Sequence, residues 1–279
     1  MAVGFIGLGN IGRPMAKQLL KQTEPVWVFD VVPAASAELA ALGANVAANP
    51  AELAAQCSII GICVRDDKDV DALLYGSDGL FANTRGDTII AIHSTVTQDA
   101  ILRWHRDGVK LGLQIIDAPI TGGAAGAEAG TLCYMVGGDE AVIERCKPVF
   151  LCSGSKIVHG GAIGTGIALK LCNNLMTYAA FTAVHEGFKL AQACGLEPEK
   201  LLEVGQANGV VTQQMSAFIS GRNALAGNPE MLQQFFGPHA ALGTKDLAAA
   251  LQTAEKLSIT LPGTQKNSEL IEDVFLNRY

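Results

Sequence analysis

Apolar and polar positions keep two different rhythms along this chain, and the change falls near residue 160. Before it, short apolar runs at 3–6, 26–30, 59–64, 88–93, 114–119, 132–136 and 156–159 predict strands, with a shorter run around 45–47. Between them, segments 50–56, 67–74, 98–106 and 140–150 repeat their apolar residues at helical spacing. Strands alternating with helices predict a parallel sheet wrapped by helices. Beyond Gly161 only the helical rhythm persists. Residues 164–193 read as one long helix without proline that stops at Gly195, and Pro198 opens the next at its favoured first-turn position. Further helices are expected at 198–207, 211–222, 240–256 and 263–277. The pattern therefore predicts an α/β domain over residues 1–162 and an all-helical one over 163–279.

The first strand runs straight into Gly7, Leu8, Gly9, Asn10, Ile11 and Gly12, and a helical pattern follows. Glycine at the first position allows the tight turn. At the second it lets a pyrophosphate approach the backbone, and at the third it lets helix and strand pack closely. The helix start then offers unpaired N–H groups and its positive dipole end to phosphates. Asp30 closes the second apolar run, where a carboxylate would accept hydrogen bonds from an adenosine ribose. Strand, glycine turn, helix and acid in this order predict dinucleotide binding in a Rossmann-type, doubly wound domain. No Arg or Lys follows Asp30 closely to meet a 2′-phosphate, so NAD is expected rather than NADP.

Composition narrows the partners. A net charge of −7 with no basic run argues against nucleic acid. Hydrophobic residues make up 49% of the 279, enough for a large core, yet no apolar stretch reaches the length of a membrane span. The 7 cysteines lack metal-ligand spacings and mostly sit in apolar runs, as reduced packing residues of a cytoplasmic protein would.

Three further segments can carry chemistry. In Asp117-Ala-Pro-Ile-Thr-Gly-Gly123, Thr121 offers a hydroxyl, and Gly122 and Gly123 can turn two N–H groups toward a carboxylate. The same composition also reads as a glycine-rich surface loop. Lys170 lies on the long helix among small and apolar residues, with Asn174 one turn further along the same face. An ammonium there either sits at a rim or is held for chemistry. Lys245-Asp246, placed early in a predicted helix, reads on its own as a solvated charge pair. His93 ends a strand beside Ser94-Thr95 and could face the cofactor, whereas His185 and Glu186 read as packing partners.

Taken in order, GFIGLGNIGRPMA, DAPITGG with GTLCYMVGG, GAIGTGIALKLCNN and LGTKDL resemble the β-hydroxyacid dehydrogenase family across nearly the whole chain. That family includes 3-hydroxyisobutyrate dehydrogenase, tartronate semialdehyde reductase and the smaller relatives of 6-phosphogluconate dehydrogenase. The resemblance implies a nucleotide-binding domain followed by a helical one, with the active site in the cleft between them. It implies that Lys170 is the catalytic acid/base supported by Asn174, and that Thr121, Gly122 and Gly123 hold the substrate carboxylate. Val64, Arg65 and Thr95 would contact the nucleotide, and Lys245 would reach the cofactor end of the cleft. Threonine at 121 replaces the usual serine, Ile11 a usual methionine, and Pro238-His239 a stretch where relatives carry Phe and aliphatic residues. Tyr279 falls short of the polar tail of many relatives.

The expected reaction is hydride transfer between NAD(H) and a small hydroxyacid or its semialdehyde. Arg222 is the one strong cation between Leu201 and Thr244, which favours an unphosphorylated substrate. An imine reductase and a non-catalytic NAD-binding module are the alternatives. The long apolar helix suggests a homo-oligomer.

Overall fold

The computed structural model describes residues 2–279 and divides into two compact units, Met1–Lys170 and Leu171–Tyr279. The division falls inside one helix, a few residues past its start.

In the first unit, strands β1 (Ala2–Ile6), β2 (Val26–Phe29), β3 (Asn45–Val46), β4 (Cys57–Ile62), β5 (Ile89–Ile92) and β6 (Gln114–Asp117) pair in the order β3-β2-β1-β4-β5-β6. Every pairing in that series is parallel. This is the doubly wound order of dinucleotide-binding sheets, with the order reversing between β1 and β4. Helices α1 (Gly12–Leu19), α2 (Pro33–Ala41), α3 (Pro50–Gln56), α4 (Asp67–Tyr75), α5 (Leu80–Asn83) and α6 (Gln98–Val109) make the connections. Period-2 alternation assigns residues to the two faces. Ile89, Ala91 and Ile116 join Val3, Phe5, Met15 and Val28 in one core, while Ile90, Ile92 and Ile115 join Ile6, Ile62, Leu74 and Trp104 in the other.

The remaining strands depart from the expected all-parallel sheet. The chain passes β7 (Ile120–Thr121), α7 (Gly123–Ala129) and β8 (Leu132–Gly137), and β8 runs antiparallel to both β6 and β7. The link between β7 and β8 is shorter than the roughly twelve residues a parallel crossover takes, so the chain returns in the opposite sense. α8 (Glu140–Ser153) then leads to β9 (Gly154–Gly161), which lies parallel to β8. The glycine-rich stretch after Gly122 is thus a helix rather than a loop, closed by Gly130 in the left-handed conformation (φ 70°).

The second unit contains most of α9 (Thr165–Ala193) with α10 (Pro198–Ala207), α11 (Gln213–Ala224), α12 (Pro229–Lys256) and α13 (Pro262–Leu276). Tyr178, Phe181 and Phe188 of α9 meet Ile219, Leu247, Ile271 and Phe275 in its core. Helix α12 begins eleven residues before the expected position 240 (240 − 229 = 11), because Pro238 lies inside it without ending it. Buried Leu232 and Ala240 flank that proline, and tertiary packing outweighs the lost hydrogen bond there.

His93 belongs to the core. Its ring stacks on Phe5, meets Tyr134 and Phe150 edge-on, and donates from Nδ1 to the Ala118 carbonyl at 2.8 Å. Burial pulls its pKa down to about 4. The unfolded chain therefore takes up a proton between pH 6.5 and 4 that the folded chain refuses. The stabilising contribution is complete above pH 6.5 and is lost as pH falls toward 4. Both tryptophans, Trp27 and Trp104, lie in this unit, so tryptophan fluorescence follows its unfolding. His93→Gln should be less stable at neutral pH, yet lose up to about 3 kcal/mol less than the parent between pH 7 and 4. Equal losses in urea titrations of the two proteins would contradict this.

Candidate active site

The candidate site residues of the first unit lie at the ends of β1, β2, β4, β5 and β6. At the end of β1, Gly7 takes φ +94°, and a Cβ there would stand 2.2 Å from the Cys63 carbonyl oxygen. A Cβ on Gly12 would lie 1.9 Å from the Gly7 carbonyl oxygen, so the turn closes only with glycine at both places. Gly9 is different: a Cβ built there meets nothing within 4 Å. Its backbone faces open space, beside the exposed Asn10 and half-buried Ile11, while Leu8 anchors the turn in the core. No side chain caps the start of α1, although the Arg13 N–H donates to the Gly9 carbonyl at 3.1 Å and Pro14 has no N–H to offer.

Asp30, following β2, is tied to the same turn. Its Oδ2 accepts from the Leu8 N–H at 2.6 Å and its Oδ1 from the Val32 N–H at 2.8 Å. Each oxygen keeps a lone pair for a ribose hydroxyl. The open approach at Gly9 and the acceptor at Asp30 fit a dinucleotide. After β4, the Val64 N–H donates to Ser94 Oγ at 2.8 Å, which joins the ends of β4 and β5 and sets Thr95 beside them, half-buried. Arg65 instead turns outward and grips Asp69 with two hydrogen bonds of 2.8 and 2.9 Å.

Lys170 is half-buried at the second turn of α9. Its ammonium acts on the Cys63 thiol, lowering a pKa that burial pushes up to about 12. Cys63 is also the residue whose carbonyl faces Gly7, so the Lys170 charge acts on a residue that borders the glycine turn. The start of α9 is held from β6. Asp117, completely buried, accepts from the Gly164 N–H at 2.8 Å and the Ile167 N–H at 2.7 Å. Desolvation pushes its acid up, against the opposing pull of these N–H donors. Thr121, Gly122 (φ +126°) and Gly123 (φ +63°) continue from the same strand end.

In the helical unit, buried Asn174 donates from Nδ2 to Asp246 Oδ2 at 2.7 Å, and the Tyr178 hydroxyl donates to the same oxygen at 3.2 Å. Lys245 Nζ lies 3.1 Å from Asp246 Oδ1, which accepts no hydrogen bond among the described residues. The Lys245-Asp246 pair is therefore not at a helix start, and only its lysine side meets solvent. It lies well inside α12, with Asp246 only 2% exposed. The sequence shows Asp246 only as half of a charge pair and gives Tyr178 no role. The available signals were Tyr178 one turn beyond Asn174, and Asp246 spaced with Gly243, Leu247 and Ala250 on one buried face.

Arg222 is also buried. Its guanidinium is spent on the Val274 carbonyl and on Asn223 Oδ1, and burial lowers its pKa to about 10. His185 and Glu186 follow on α9, where the His185 ring shares a hydrogen between Nε2 and the Tyr279 carbonyl at 3.0 Å. Among the described residues no group of His, Cys, Asp and Glu could hold a metal ion, and no helix is long and apolar enough to cross a membrane.

A doubly wound sheet with an open glycine turn after its first strand and an acid after its second is the arrangement of nicotinamide-dinucleotide-binding oxidoreductases. The family model for the NAD binding domain of 6-phosphogluconate dehydrogenase matches residues 2–161. The model described as NAD-binding of NADP-dependent 3-hydroxyisobutyrate dehydrogenase matches residues 164–276. The chain is 36% identical to 2-hydroxy-3-oxopropionate reductase of Escherichia coli, over 99% of this chain and 92% of that protein. It is 34% identical to 2-(hydroxymethyl)glutarate dehydrogenase of Eubacterium barkeri, over 97% and 88%. Among solved structures, 3-hydroxyisobutyrate dehydrogenase of Mycobacterium tuberculosis with L-serine matches with a TM-score of 0.81 at 26% identity, covering 100% of this chain and 99% of that one. The chain belongs to the β-hydroxyacid dehydrogenase family, the 3-hydroxyisobutyrate and 6-phosphogluconate dehydrogenase-like oxidoreductases.

Removing the Asp246 carboxylate strands two buried donors, Asn174 Nδ2 and the Tyr178 hydroxyl. Asp246→Ala should destabilise the helical unit by about 2–3 kcal/mol, and Tyr178→Phe by about 1 kcal/mol, in urea melts followed by helical circular dichroism. Equal stabilities for Asp246→Ala and the parent would contradict the network.

Proposed function

We propose that the protein interconverts a small, unphosphorylated β-hydroxyacid and its semialdehyde with NAD(H), using Lys170 as general acid and base. A bound nicotinamide supplies or removes the hydride. In reduction the Lys170 ammonium donates a proton to the carbonyl oxygen, and in oxidation the neutral amine takes the hydroxyl proton. Asn174, one helical turn from Lys170, offers its second Nδ2 hydrogen to the substrate oxygen, with its first held by Asp246. Thr121 Oγ1 and the N–H groups of Gly122 and Gly123 orient the substrate carboxylate. Gly7 to Gly12, Asp30, Val64, Arg65, Thr95 and Lys245 are assigned to the cofactor.

The observation that carries this reading is that the Lys170 charge reaches the thiol of Cys63, whose own carbonyl abuts Gly7 of the nucleotide turn. It brings a proton-bearing group to the strand end where the cofactor is expected. The unphosphorylated substrate is supported by Arg222, whose buried guanidinium is committed to Val274 and Asn223. The preference for NAD is supported by Asp30, whose carboxylate would repel a 2′-phosphate.

A panel of C3–C5 hydroxyacids, semialdehydes and imines, followed at the nicotinamide absorbance, tests the reaction. Turnover of a semialdehyde is expected. Turnover of imines alone, or none with tight NADH binding, would contradict it. With the preferred substrate, Lys170→Ala should lower kcat by 10²- to 10⁴-fold and leave NADH affinity unchanged. A variant as fast as the parent would remove Lys170 from the chemistry. NADH should exceed NADPH in kcat/KM at least about tenfold, and Asp30→Ser should narrow that ratio. A parent that prefers NADPH would contradict the assignment of Asp30.

A further inference from the structure

The Asp117 carboxylate reaches out of the sheet and caps a helix that begins far away in sequence. Helix α9 has the usual orphan N–H groups at its start, and local capping residues normally satisfy them. Here Gly164 and Gly166 provide no side chain, and the Thr165 hydroxyl donates instead to the Ala162 carbonyl at 2.7 Å. The Gly164 and Ile167 N–H groups instead reach Asp117 at 2.8 and 2.7 Å, and the Gly166 N–H also acts on this carboxylate.

The contact surface is bare of side chains for the same purpose. A Cβ on Gly166 would lie 2.5 Å from the Met135 carbonyl oxygen, 2.8 Å from the Asp117 carbonyl oxygen and 2.8 Å from the Gly137 nitrogen. A Cβ on Gly137 would stand 2.6 Å from Asp117 Oδ1 and 2.8 Å from the Gly166 nitrogen. Two facing glycines thus let the first turn of α9 rest on the ends of β6 and β8. Ile167, 0% exposed, pins that turn into the core beneath. Lys170 is three residues past Ile167, on the next turn of the same rigid helix. On the other side, the backbone of Asp117 continues into Thr121, Gly122 and Gly123.

We propose that Asp117 is a positioning residue for the reaction: by capping α9 it fixes the Lys170 ammonium relative to the Thr121-Gly122-Gly123 segment. The proposal rests on Lys170 being the acid/base. Asp117 touches neither substrate nor cofactor, and acts through the register of one helix start. A misplacement of about 1 Å in a proton-transferring group can cost about 10²-fold in rate.

The test compares Asp117→Asn, Gly166→Ala and Lys170→Ala as full-length proteins. Asparagine keeps the shape but puts an NH₂ group against backbone N–H donors, while the alanine methyl lifts the helix start off the sheet. NADH-binding sites are titrated by fluorescence, and kcat is expressed per binding site, well below the melting temperature. Asp117→Asn and Gly166→Ala should each lower kcat by roughly 10- to 100-fold, with the NADH dissociation constant within about twofold of the parent. The solvent deuterium isotope effect on kcat should rise as proton transfer becomes slower. If Asp117→Asn fails to fold, Gly166→Ala decides on the same criteria. A lower melting temperature with kcat per site within twofold of the parent would make Asp117 a structural cap and overturn the proposal. If Lys170→Ala retains parental kcat, the acid/base reading itself fails, and that outcome is distinct from the first.

Discussion

One buried carboxylate fastens the start of α9 to the sheet. Asp117 ends β6, is entirely removed from solvent, and gives its oxygens to N–H groups at the start of α9. An isolated carboxylate buried in this way would be strongly disfavoured, and it is tolerated because several helix-terminal donors converge on it. The same bonds satisfy orphan helix donors that nearby side chains leave open. Removing the acid would therefore strand those donors and loosen the helix start together.

The order of the strands explains why chemistry collects at this place. Ligands of open parallel sheets bind beyond the carboxyl ends of the strands, near the point where strand order reverses. Gly7, Asp30, Cys63, Ser94 and Asp117 all follow or close such strand ends. Their mutual contacts, Asp30 to Leu8, Ser94 to Val64 and Cys63 to Gly7, knit the ends into one rim. The Lys170 charge acts on the Cys63 thiol of that rim, where desolvation dominates and holds the thiol in its uncharged form. In the helical unit the corresponding polar knot is Asp246 with Asn174, Tyr178 and Lys245, placed in a core of aromatic and aliphatic residues.

Most of the first unit was legible in the sequence because its strands are short, apolar and bounded by turn residues. The glycine turn, Asp30 and the long uninterrupted pattern of α9 were equally plain. What escaped has a physical reason in each case. Helix α7 hid in Gly123–Ala129, whose alanines and glycines carry no amphipathic signal, and the reversal at β8 followed from a connection too short to cross over. The first turns of α12 were masked by Pro238, a residue that local propensity places at helix ends but that packing holds inside this one. His93 looked poised for the cofactor because it ends a strand, yet three aromatic rings enclose it. Asp246 looked solvated because its neighbour is a lysine. Its burial depends on contacts with residues about seventy positions away, which no local pattern records.

The proposed reaction requires the Lys170 ammonium to meet the reacting oxygen of the substrate beside the nicotinamide. A crystal structure of the protein with a nicotinamide cofactor and a small hydroxyacid tests it most directly. Lys170 Nζ is expected at hydrogen-bond distance, about 3 Å, from the hydroxyl oxygen on the carbon that faces C4 of the ring. A lysine pointing away from that oxygen, with another side chain or water in its place, would contradict it.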